Sequence, residues 1–277
     1  MDRTENRLQQ KFDKKLDRAM EHFAAGRLTQ ARSLFEQLHK STPGHPVPLH
    51  MLGFIGFHLG DHDNVIDLIS QAITIAPDYI DAHFNLGNAL MAYGRLNEAI
   101  ASYTKAIALD PNFIEAHENL GDAYSALGNL GDAVASYRRV VAILPDYAEV
   151  YISLGNALFG LDELDEAVAS FAKAIEIKPD YALAHSNLLV TMVFLSTVTT
   201  ADVFEASKRA GTALEQPFVG HSVHHGNTRD PDRVLKVGYL SPSLTGHVLA
   251  PYLEPVLTAH RRDRVAVHVY AHVANPD

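Results

Sequence analysis

The amino-acid sequence predicts a mostly α-helical chain: a solenoid of about five stacked two-helix units with a capping helix, then a short βαβ segment. Three observations predict it. Pro43, Pro77, Pro111, Pro145 and Pro179 recur at a constant interval of thirty-four residues, and a fixed period of this size marks a chain built from copies of one small unit. Small and aromatic residues return at fixed places between those prolines. From Val234 onward the apolar pattern changes from a helical period to a strand period.

Counting each proline as position 32 places the units' first residues near Phe12, Pro46, Ile80, Ile114 and Ala148. The third unit has Leu86-Gly87 at positions 7 and 8, Gly94 at 15, Ala99 at 20, Tyr103 at 24 and Ala106 at 27. The fourth has Leu120-Gly121, Gly128, Ala133, Tyr137 and Val140 at those places. The fifth has Leu154-Gly155, Ala167, Phe171 and Ala174, with Asp162 at the turn position. Small residues at 8, 20 and 27 let two helices approach closely, and the aromatic at 24 fills the space beside them.

The proline ends the second helix, because it lacks an N–H and disfavours helical geometry in the residue before it. Asp78, Asn112, Asp146 and Asp180 follow the last four prolines and are expected to cap the next helix; Tyr79, Phe113, Tyr147 and Tyr181 come next. This pattern is similar to the tetratricopeptide (TPR) helix-turn-helix repeat. The end units depart from it, as capping units do. The first has Ala19 at position 8 but keeps Gly26, Ala31 and Phe35; the second keeps Leu52-Gly53, Gly60 and Ala72 but has Val65 at position 20. Residues 182–195 form one more first helix, expected to cap the array. The expected organisation is a lead-in over 1–11, the array with its cap over 12–195, a helical and linker segment over 196–232, and the βαβ segment over 233–277.

Composition bounds the function. The formal charge of -10 argues against non-specific nucleic-acid binding, which needs a basic footprint. The absence of cysteine excludes disulfides, thiolate metal sites and a cysteine nucleophile. The polar N-terminus has no signal-peptide core and no apolar stretch reaches membrane-span length, so the expected location is cytoplasmic, without a membrane partner. His221, His224 and His225 lie in a polar stretch without carboxylate or cysteine support, so no metal site is expected there. No phosphate-cradling glycine loop or nucleophile elbow is present, and no cofactor is expected.

The candidate binding residues come from the first helices. In stacked TPR units these line the concave face, and positions 6 and 9 lie about one turn apart on it. Position 6 reads Asn85, Asn119, Ser153 and Asn187; position 9 reads Asn88, Asp122 and Asn156. A carboxamide both donates and accepts, so a column of them suits the backbone of an extended client or acceptor protein. Self-association of the array is compatible with the same pattern.

The tail reads as a strand over Val234–Leu240, a turn-rich loop, a helix-length segment over His247–His260 and a second strand over Val265–Tyr270. Ligands in such parallel folds gather at the carboxyl ends of strands, which is where His247 falls. Here the chain resembles the O-linked N-acetylglucosamine transferases and their SPINDLY-type relatives. The matching segments are Ala184–Leu189, Arg229–Arg233, Lys236-Val237-Gly238-Tyr239-Leu240-Ser241-Pro242, Leu253–Leu257 and Val269–Ala271. The resemblance implies that the tail begins a catalytic region of two Rossmann-like halves. It also implies that His247 is an active-site residue near acceptor and donor sugar, and that the donor is UDP-GlcNAc. Ser243-Leu244 departs from the family's usual Asp-Phe. The half that mainly holds UDP-sugar is not in the sequence, so the chain is expected to be inactive in transfer by itself. The alternative is a non-enzymatic TPR scaffold.

Overall fold

The computed structural model describes residues 3–62, 64–219, 234–241 and 265–271, which fall into two units, residues 1–219 and 220–277. The first unit is helical throughout. Its helices are α1 (Arg3–Ala24), α2 (Leu28–Ser41), α3 (Pro46–His58), α4 (Val65–Ile75), α5 (Ile80–Ala92), α6 (Leu96–Leu109), α7 (Ile114–Ala126) and α8 (Leu130–Ile143). They continue with α9 (Ala148–Gly160), α10 (Leu164–Ile177), α11 (Ala182–Phe194) and α12 (Thr200–Glu215), followed by a short 3-10 turn. Four first helices start where the thirty-four-residue count places them, at Pro46, Ile80, Ile114 and Ala148. The lead-in is not separate: α1 runs from Arg3 without a break.

Each helix packs on its chain neighbours. In addition α3 packs on α5, α5 on α7, α7 on α9 and α9 on α11. First helices thus form a continuous inner row, the arrangement that makes a solenoid curve with them on its concave side.

The contacts inside a unit follow from side-chain size. A Cβ placed on Gly87 would come within 2.5 Å of the Tyr103 ring, on Gly121 within 2.5 Å of Tyr137, and on Gly155 within 2.6 Å of Phe171. In the third, fourth and fifth units position 8 is therefore held to glycine by the aromatic at position 24, whereas the first unit places Ala19 with Phe35 at these positions. Ala99, Ala133 and Ala167 at position 20 are fully buried.

The turn within each unit is also repeated. Gly26, Gly60, Gly94, Gly128 and Asp162 all have φ between 62° and 78°. The following N–H reaches back five residues (Arg27 to His22, Asp61 to Gly56, Arg95 to Leu90, Asn129 to Tyr124, Glu163 to Leu158). This is the Schellman closure of a helix, and its left-handed residue is normally glycine. Asp162 takes the same conformation at some steric cost.

One expectation about the helix starts is corrected. The acidic or amide residue after each proline is not the helix cap. The cap positions are Tyr79, Phe113, Tyr147 and Tyr181, extended in backbone and without a side-chain cap bond. Tyr79 N–H donates to Ala76, Phe113 to Asp110 and Tyr181 to Lys178, so proline and its successor fill the two central places of a β-turn, where both residue types are favoured. Helix α4 starts at position 20, where α2, α6, α8 and α10 start at position 17. Val65 occupies its first turn after Asn64, itself left-handed at φ 63°.

In the second unit β1 (Leu235–Ser241) and β2 (Val265–Ala271) pair in parallel, Leu235 opposite Val265 and Ser241 opposite Ala271. Parallel pairing needs a crossover of a dozen residues or more. The connecting residues 242–264, with His247 and the expected helix over His247–His260, lie outside the described residues, as do His221, His224 and His225.

Candidate peptide-binding groove

The seven residues proposed for the groove all lie on first helices of the inner row: Asn85 and Asn88 on α5, Asn119 and Asp122 on α7, Ser153 and Asn156 on α9, Asn187 on α11. None is buried. The structure brings them together in pairs. Asn119 Nδ2 donates to Asn88 Oδ1 at 2.8 Å, and Asn187 Nδ2 donates to Asn156 Oδ1 at 2.8 Å. In these two rungs position 6 of one unit bonds to position 9 of the unit before, thirty-one residues away.

The middle rung, Asp122 with Ser153, differs. Asp122 Oδ1 accepts from the Tyr137 hydroxyl at 2.7 Å, and Ser153 also faces that hydroxyl. At the N-terminal end Asn85 Nδ2 donates to His50 Nε2 at 2.8 Å, and His50 Nδ1 meets the Tyr79 hydroxyl at 2.9 Å. An amide N–H can only donate, so His50 Nε2 carries the lone pair and Nδ1 the proton. Burial lowers the His50 pKa to about 4, against a smaller opposing pull from Asp81, and the ring is neutral near pH 7.

These bonds decide what the groove offers. Asn88 Oδ1 is filled, since it accepts from Tyr103 Oη at 2.8 Å as well as from Asn119; its Nδ2 hydrogens are the free groups. Asn119 and Asn187 have each given one N–H and keep a carbonyl. At these two rungs Asn88 and Asn156 at position 9 present donors and Asn119 and Asn187 at position 6 present acceptors, while Asp122 at the middle rung, a carboxylate, can only accept. A pocket of about 230 Å³ opens at the Asn88–Asn119 rung, lined by Asn88, Met91, Ala92, Tyr103, Asn119 and Asp122.

The charge of the inner row has one sign. Helices α3, α5, α7, α9 and α11 carry Asp81, Glu115, Glu118, Asp122 and Glu149 and not one Lys or Arg. Burial raises the Glu118 pKa, a bond from Tyr147 opposes this, and neighbouring Asp122, Glu115 and Glu149 add to the rise. Toward α11 the surface becomes apolar, with Leu183, Val190, Val193 and Phe194 exposed and Phe194 edge-on to Phe159 at 5.5 Å.

Sequence reasoning missed one repeated device. His83, His117 and His185, all at position 4, donate from Nε2 to the carbonyls of Pro77, Pro111 and Pro179 at 2.8–3.0 Å. Each fastens a first helix to the turn that precedes it. Their constant spacing of six residues from a proline was the available signal. Among the described residues no group of His, Asp or Glu is arranged to hold a metal, and no helix is long and apolar enough to cross a membrane.

Comparison with known proteins agrees with the repeat fold. Tetratricopeptide-repeat family models match residues 15–37, 56–101, and, in overlapping segments, 87–188. No curated protein matches the chain. Among solved structures, MamA is 25% identical, covering 62% of this chain and 93% of its own, with a TM-score of 0.56. YrrB, described as a TPR protein with an unusual peptide-binding site, is 19% identical over 61% of this chain and 88% of its own, with a TM-score of 0.56. The C-terminal part of a TPR repeat-containing protein from Cytophaga hutchinsonii is 17% identical over 73% and 80%, with a TM-score of 0.65. The family matches concern repeats alone and end at residue 188; none bears on sugar transfer. The helical unit of this chain is a tetratricopeptide-repeat array.

Proposed function

We propose that the array is a protein-interaction scaffold whose inner face binds an extended segment of a partner chain by its backbone, with preference for segments carrying Lys or Arg. The observation that supports this most directly is the rung geometry: donors at Asn88 and Asn156, with acceptors at Asn119, Asn187 and Asp122, suit the C=O and N–H groups of an extended strand. The cation preference follows from the inner row's one-signed charge, which attracts a basic segment through roughly a Debye length of ~10 Å at 0.1 M salt. The likeness to YrrB supports the same class of partner. The Asn119→Ala/Asn187→Ala pair is the test, since Asn85 is needed by buried His50. Binding of a short peptide of alternating threonine and lysine, measured by titration calorimetry, is expected to weaken about tenfold or more, at about 1 kcal/mol per lost bond. Unchanged affinity would remove the rungs from the account.

The transferase reading rests on the Lys236–Pro242 motif, which lies on and just after β1, and on parallel pairing of β1 with β2. It takes the tail as the opening of a Rossmann-like half and His247 as part of a UDP-GlcNAc site. Saturable binding of UDP-GlcNAc by this chain would favour it over the scaffold alone; no binding leaves the array as the functional unit.

A further inference from the structure

We infer that Tyr103 and Tyr137 are positioning residues of the groove: from the second helices, their hydroxyls fix which polar atom of the position-9 side chain faces a partner, an amide donor at Asn88 and a carboxylate acceptor at Asp122. This rests on the peptide-binding reading above.

Both rings are almost fully buried, packed against Gly87 and Gly121, with only the hydroxyl reaching the inner face. A carboxamide oxygen has two lone pairs. Tyr103 fills one on Asn88 and Asn119 the other, so the Asn88 amide is anchored by its oxygen and turns its Nδ2 outward. Without the tyrosine hydroxyl one bond remains, and turning the amide over becomes far less costly. Tyr137 acts on Asp122 with the opposite result, taking Oδ1 and leaving Oδ2, an acceptor, for a partner's donor.

The chain contains its own control. Phe171 occupies the same slot against Gly155, also nearly fully buried, so packing requires only the ring. Its rung is correspondingly different: Asn156 Oδ1 has Asn187 as its hydrogen-bond donor and no hydroxyl from position 24. Tyrosine at two units and phenylalanine at the third separates what stacking needs from what the groove needs.

The experiment uses Tyr103→Phe, with Phe171→Tyr as its converse, in the full chain. Two readouts are taken: the side-chain amide NMR signals of Asn88, Asn119, Asn156 and Asn187, and affinity for the threonine–lysine peptide. Tyr103→Phe is expected to melt within a few degrees of the parent, to shift and loosen the Asn88 and Asn119 amides, and to weaken the peptide about threefold to tenfold. Phe171→Tyr is expected to order Asn156 and tighten binding. Unchanged Asn88 signals in Tyr103→Phe overturn the inference whatever the peptide does. Altered amides with unchanged peptide affinity overturn it as well. Failure of the parent chain to bind the peptide instead overturns the groove reading, and the amide signals still decide whether the hydroxyls position the rungs.

Discussion

The second unit (α3 and α4) and the fourth (α7 and α8) obey the same stacking rules and differ in nearly everything the groove can use. Both keep glycine at position 8, a left-handed glycine closing the first helix, and proline at position 32. In the fourth, Tyr137 rests on Gly121 and sends its hydroxyl to Asp122. In the second, Ile69 rests on Gly53, Phe54 stands at position 9, and the link to the next unit runs from His50 through Asn85. The fold constrains the positions between helices. The inner face is free to vary, and its chemistry is a separate specification.

The largest effect that would sharpen this contrast comes at position 24. Tyr137→Ala is expected to destabilise the chain by about 3–5 kcal/mol and to disturb peptide binding. Ile69→Ala, at about 2–5 kcal/mol, should leave binding by the folded fraction intact. Denaturant unfolding paired with calorimetry separates the two outcomes.

Next comes pH. The His50 pKa is lowered in the fold to about 4 from 6.5, chiefly by burial, so as pH falls below about 6.5 the unfolded chain takes the proton first. Stability on the order of 3 kcal/mol is present above that pH and is lost progressively on the way down to about 4. His50→Gln should flatten this part of the curve. The fourth unit has no counterpart to His50 on its inner face, so an equal acid loss in His50→Gln would break the contrast.

Gly87→Ala and Gly121→Ala push a methyl into a tyrosine ring and are expected to cost about 1–3 kcal/mol each. Gly53→Ala meets Ile69 Cγ1 at 2.6 Å and the Val65 carbonyl oxygen at 3.0 Å and is expected to cost a similar amount. The smallest effect has the opposite sign. Asp162→Gly relieves a left-handed residue at φ 62° and is expected to stabilise by about 0.5–1 kcal/mol, read as a raised Tm.

Much of this was legible in the sequence because a solenoid repeats its packing at a fixed interval. The starts of α3, α5, α7, α9 and α11, the buried small residues and the aromatic slot all follow from one proline every thirty-four residues. What escaped was pairing between units. Reading positions 6 and 9 as columns hides that Asn119 meets Asn88 and Asn187 meets Asn156, a relation at interval thirty-one that only stacking creates. The Asp-after-Pro residues misled because aspartate serves helix caps and turn centres equally well. The late start of α4, after a left-handed Asn64, is a local departure that the repeat average conceals.

The central claim is that the inner face binds an extended basic segment through its rungs. The most direct measurement is backbone and side-chain amide NMR of the chain titrated with the threonine–lysine peptide at low and high salt. The account predicts saturable shifts confined to α5, α7, α9 and α11, including the free amide protons of Asn88 and Asn156, with affinity falling as salt rises. Shifts on α4, α6, α8 and α10 alone, or none at the rungs, would contradict it.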